Sequence, residues 1–173
     1  MRSKSRGRRP TTQWIPTEGA LTAVAAATAT EFTLIDASAG FSGTAVPVPQ
    51  LGSMTIRRIL GQVNVLNTDV TAISTVQMGI LVKPAGVTIL SPSVQTRRDY
   101  PWMFLRQMRL LQGAAAAPFV LGSMSEHVMP FGSWVDVKVS RLLKPDQTLV
   151  LAYQASTATT VSVFLRSLIS RAV

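Results

Sequence analysis

No cysteine occurs among the 173 residues, which removes disulfide frameworks, thiolate metal sites and cysteine nucleophiles together. Histidine is nearly absent as well. His127 is the single one, so no second imidazole is present to share a metal. A relay would have to draw on Ser123, Ser125 or Glu126 beside it, and the simpler reading is a loop histidine between strands. Acid is scarce: the eight carboxylates, Glu18, Glu31, Asp36, Asp69, Asp99, Glu126, Asp136 and Asp146, are scattered singly. Hard-cation sites and paired-carboxylate catalysis need several converging oxygens, and no local spacing supplies them. A Gly-rich phosphate loop and a dinucleotide fingerprint are missing too. The expectation is a chain that is not an enzyme, uses no cofactor and has no metal site of its own, with calcium at a subunit interface left open. Long apolar runs are also lacking, because Asp36, Asp69, Lys83 and paired arginines interrupt them below the roughly 20 residues that cross a bilayer. No membrane span is expected. Thr11 to Gly19 is polar and broken by Pro16, so the cationic start is not followed by the apolar core of a secretory signal.

What is present is 47% hydrophobic residues with only 14% charged ones, enough to fill one core while leaving a surface that tends to associate. A homo-oligomer is expected. The formal net charge of +9 favours a polyanionic partner and says nothing about fold. Five of the 17 basic residues, Arg2, Lys4, Arg6, Arg8 and Arg9, fall in the first nine positions with no acid among them. Such a segment cannot bury a core and is expected to be disordered. The charge asymmetry marks a boundary near Pro10, and the division read here is a basic arm and linker at 1–18 followed by one domain at 19–173.

Arginine engages phosphate bidentately, and a disordered arm can follow an irregular strand while reading little of its sequence. The alternative for the arm is a solubilising tail or a localisation signal. Arg57 and Arg58 are candidates to extend the basic surface, as are Arg97 with Arg98 and Arg106 with Arg109. Adjacent residues on a strand point to opposite faces, so Arg57 and Arg58 share a face only where a bulge intervenes. Trp14, Trp102 and Trp134 read first as core or interface and second as base-stacking platforms.

The chain reads as strands throughout. Glu31 to Asp36 combines β-branched and aromatic residues, and 37–53, with Gly40, Gly43, Pro47, Pro49 and Gly52, reads as a loop. Between Met54 and Leu66 the apolar phase shifts across Arg57-Arg58, which predicts a bulge. Val76, Met78, Ile80 and Val82 recur at a spacing of two before the turn residues Lys83-Pro84-Ala85-Gly86. Residues 97–112 fit either a helix capped by Asp99 or a strand, and are read as strand. Val135, Val137 and Val139 alternate with polar residues up to a turn at Lys144-Pro145-Asp146. Thr148 to Tyr153 returns, and Val161, Val163 and Leu165 alternate with Ser162 and Phe164. Six or more strands without a helix imply an all-β sandwich or barrel.

The order of a basic arm, a Thr-rich first strand at Glu31 to Asp36, Thr55-Ile-Arg-Arg-Ile-Leu-Gly61, Trp134-Val-Asp-Val-Lys-Val139, Arg141-Leu-Leu-Lys144 and Leu149-Val-Leu151 resembles the single jelly-roll coat proteins of small circular Rep-encoding single-stranded DNA viruses. The resemblance implies one eight-stranded antiparallel jelly-roll sandwich that self-assembles into an icosahedral shell. It also implies a single-stranded DNA genome held by the arm, a place in the virion and passage through the host nucleus. The rival class is a small β-barrel module that binds single-stranded nucleic acid without forming a shell.

Overall fold

The computed structural model describes residues 11–37, 53–69, 71–87, 91–92, 102–110 and 131–171. They form eight strands: β1 Thr11–Val24, β2 Thr30–Asp36, β3 Met54–Asn67, β4 Ser74–Pro84, β5 Phe104–Leu110, β6 Phe131–Leu143, β7 Gln147–Ala155 and β8 Thr159–Arg171. No helix among the described residues is long and apolar enough to cross a membrane.

The pairing explains the architecture. β1 lies antiparallel to β8, β2 to β7, β3 to β6 and β4 to β5, so the first four strands run back along the last four as one long ribbon. Rolling that ribbon brings β3 against β8 and β4 against β7. Two four-stranded sheets result, in the orders β1-β8-β3-β6 and β2-β7-β4-β5. This is a jelly roll, a double-sheet sandwich built from wound antiparallel strands.

The sheets meet through side chains at alternate positions. Ile56, Ile59, Val63, Val135, Val163 and Leu165 come from one sheet, and Leu34, Met78, Ile80, Leu149, Leu151 and Tyr153 from the other, all buried in one cluster. The spacing of two predicted for β4 holds at Val76, Met78, Ile80 and Val82. Val135 and Val137 face the core likewise, with Val139 packed against it. Tyr153 is the largest fully buried side chain among the described residues. Its hydroxyl shares a 2.8 Å hydrogen bond with Thr159 Oγ1, and burial pushes its pKa up to about 12. The Lys144-Pro145-Asp146 turn closes through a 3.0 Å bond donated by Gln147 N to Lys144 O.

Two expectations change, and one open alternative closes. Residues 11–18 are not a linker: they form the first part of β1, with Thr11 opposite Arg171 and Glu18 opposite Phe164. Ile15 and Thr17 are buried between exposed neighbours, and Pro16 is tolerated because β1 is an edge strand, where a missing N–H need not break a ladder. Glu31 to Asp36 therefore lies in the second strand, not the first. The helix alternative for 97–112 fails over Phe104–Leu110, which pairs with β4. The rest of 97–112 apart from 102–103, residues 38–52 of the expected loop, and His127 with its neighbours lie outside the described residues.

Candidate nucleic-acid interface

The phase shift read in the sequence at Arg57-Arg58 is a real irregularity. Ile56 faces Ile169 and Arg58 faces Leu168 on β8, so β3 carries one residue more than its partner there. The extra residue puts both arginines on the same outer face of the β1-β8-β3-β6 sheet. Arg57 Nε donates to Ser170 Oγ at 3.0 Å, and a terminal nitrogen donates to Ser140 Oγ at 3.1 Å. Arg58 donates from Nε and from a terminal nitrogen to the two carboxylate oxygens of Asp136 at 2.8 and 2.7 Å.

The two arginines consequently differ as binding groups. Arg58 sits opposite Lys138 in the ladder, a like-charge pairing that is unfavourable, and it turns instead to Asp136. That fork holds the Asp136 carboxyl below its ordinary range and raises the guanidinium, each through the shared hydrogen bonds. Its charge is therefore engaged within the chain. Arg57 is held by two neutral hydroxyls, which orient the guanidinium and leave its charge uncompensated. Among the described residues no carboxylate lies within ion-pair distance of Arg57, Lys138 or Arg166, and of these three only the Lys138 charge acts on Asp136.

The register lays the rest of this face out as rows across β1, β8, β3 and β6. One row is Glu18, Phe164, Gln62 and Trp134; the next is Pro16, Arg166, Leu60 and Asp136; the next is Trp14, Leu168, Arg58 and Lys138. Trp14 is 39%, Phe164 47% and Trp134 60% exposed. The Arg166 guanidinium stands 5.0 Å from the centre of the Trp14 ring, a cation–π distance. Of the core-or-interface reading, the core half fails for Trp14 and Trp134: both sit on the outward phase of their strands.

The opposite sheet treats its outer face differently. Leu81, Val150 and Ala152 are buried there beneath Trp102. Gly79 leaves room for the indole: a Cβ at that position would lie 2.5 Å from a ring carbon of Trp102. Lys83 is buried nearby, with its ammonium donating to Glu31 and to the Val87 carbonyl. Arg106 and Arg109 belong to this sheet, on β5, opposite Met78 and Thr75 respectively. Three residues apart on a strand, they point to opposite faces, so they do not extend the surface around Arg57. A cavity of about 270 Å³ lies beside Arg106, lined also by Trp102 and Phe104 among others.

Arg2, Lys4, Arg6, Arg8, Arg9, Arg97 and Arg98 lie outside the described residues. Phe164 and Arg166 were missed as site residues, although a signal existed: once Val161, Val163 and Leu165 face inward, Phe164 is a large aromatic on the outward phase. Among the described residues no group of three or more His, Cys, Asp or Glu side chains is placed to hold a metal ion. No protein-family model matches the chain, and no curated protein matches it.

Proposed function

We propose that this chain is a viral capsid protein that assembles into a small icosahedral shell and packages its genome, with single-stranded DNA the expected nucleic acid. The carrying observation is the jelly-roll topology joined, at its first edge strand, to a segment with five cationic residues in its first nine positions. Jelly rolls serve as shell, lectin and cupin domains. Here the space between the sheets is filled by packed Ile, Val, Leu, Met and Tyr side chains, which favours a scaffold over a ligand-holding barrel. Four strands, β1, β2, β5 and β6, are sheet edges among the described residues, and exposed edges together with exposed Trp, Phe and Leu side chains favour association with further copies. The segment at 2–9 supplies phosphate-neutralising charge that reads little sequence.

The test is electron microscopy of the purified full chain with nuclease treatment of any particles. Uniform closed shells holding protected nucleic acid are expected, and a species of monomer-to-tetramer size under assembly conditions overturns the reading. Deleting residues 2–9 is expected to leave the β domain folded and to reduce packaged nucleic acid; an unchanged content in purified particles removes the arm's role. A second reading, a nucleic-acid-binding module that forms no shell, is favoured by the exposed aromatics beside Arg57, Lys138 and Arg166, and the same images separate the two.

A further inference from the structure

We infer that the outer face of the β1-β8-β3-β6 sheet is a second nucleic-acid contact, where Trp14, Phe164 and Trp134 stack on splayed bases of a single strand and Arg57, Lys138 and Arg166 receive its phosphates. This inference rests on the nucleic-acid partner of the proposed function, and it does not require the shell.

Three observations converge on a polynucleotide as the occupant. The first is chemical type. Among the described residues, three of the six exposed large hydrophobics are the aromatics of this one face, and flat rings interleaved with cations are the composition that binds single strands without sequence choice. The second is charge. The face carries four cations against Glu18 and Asp136, and Arg58 already holds Asp136, so the uncompensated charge is positive. The third is continuity along the chain: the segment with five cations directly precedes β1, the edge strand of this same sheet.

The geometry restricts how a strand would lie. Phe164 and Trp134 share a row with Gln62 between them, so their backbones are two strand spacings, about 10 Å, apart. Stacked bases advance only about 3.4 Å per step. Bases on these two rings are therefore not consecutive members of one stack, and the strand must be opened out across the sheet. A duplex keeps its bases internal and cannot present them in this way, so the face selects single strands. The arm, by contrast, has no aromatic residue in its first nine positions and contributes phosphate contact alone.

The experiment compares an oligothymidylate about 16 nucleotides long with an abasic oligomer of the same length, both titrated against the full chain. The unmodified protein is expected to bind the base-bearing oligomer more tightly, with quenching of its exposed tryptophans that the abasic oligomer does not produce. That measurement needs no variant. Phe164→Ala and Trp134→Ala are then expected to weaken oligothymidylate binding about tenfold each while leaving abasic binding unchanged, and deletion of residues 2–9 to weaken both oligomers alike. Equal affinity for the two oligomers in the unmodified protein overturns the inference. So does loss of assembly in the aromatic variants with base discrimination intact, which would make the face a contact between copies of the chain. Failure of the protein to form shells, with discrimination preserved, removes the capsid reading and leaves the stacking surface standing.

Discussion

The two sheets present opposite outer faces. Behind β4 and β7 the chain covers itself: Leu81 is 0%, Val150 1% and Ala152 2% exposed beneath Trp102. Behind β8 and β6 no described residue forms such a cover, and Phe164 and Trp134 stand 47% and 60% exposed. The difference follows from the strands. Ile80-Leu81-Val82 and Leu149 to Tyr153 are continuous apolar runs, so those strands require apolar surroundings on both sides. Val161 to Arg166 and Trp134 to Lys138 alternate instead, burying one side and offering the other. A tryptophan therefore means something different on each: packing on the first sheet, display on the second.

The backbone of the displaying sheet offers the largest effect. Gly61 in β3 has φ +149°, and a Cβ there would meet the Phe164 carbonyl oxygen at 2.0 Å and the Leu165 Cα at 2.9 Å. Both obstacles are backbone, so nothing short of separating β3 from β8 relieves them. Gly61→Ala is expected to cost about 3 kcal/mol or more, read as a lowered urea midpoint. A midpoint unchanged from the parent would mean that the face's central ladder is not the rigid support it is taken for.

The covering tryptophan comes next. Removing its indole uncovers Leu81, Val150 and Ala152 without disturbing the core between the sheets, so Trp102→Ala is expected to destabilise by about 2–4 kcal/mol and to increase binding of an apolar dye. Gly79 provides the cross-check, because a Cβ there runs into the same ring. Gly79→Ala should be harmful alone and much less so once Trp102 is alanine. Additive costs in that double-mutant cycle would separate the two residues and end the account of Trp102 as the cover.

How much of this was legible depended on whether the deciding contact was local. The alternation of β4, β6 and β8 exposed the sandwich directly, and the broken phase at Arg57-Arg58 predicted the bulge that now puts both side chains on one face. Residues 11–18 misled because an edge strand needs few apolar positions. Ile15 and Thr17 carry the inward phase, and a polar stretch with Pro16 resembles a linker. The Arg58–Asp136 pair spans 78 residues, and only the register between β3 and β6 brings its members together, so no spacing along the chain could have withdrawn Arg58 from the free cations. The exposure of Trp14 and Trp134 was half visible. Trp134 precedes Val135 on the outward phase, but a tryptophan suits a core and an interface equally well, and residue type alone does not divide the two.

The smallest expected effect is the sharpest test of the comparison, because it uses the same substitution as the covering site. Trp134→Ala removes as large a side chain as Trp102→Ala, yet the Trp134 ring already meets solvent over most of its surface, and its loss opens no cavity between the sheets. The expected change in folding stability is within about 0.5 kcal/mol, measured by urea unfolding of the full chain. A loss comparable with that of Trp102→Ala would show that the second face is also packed, whether by another part of this chain or by another copy, and would end the distinction between the sheets. Near-neutrality places the value of Trp134 outside the fold. On that outcome the indole adds little to the hold on β6, as expected of a ring displayed for contact with another molecule.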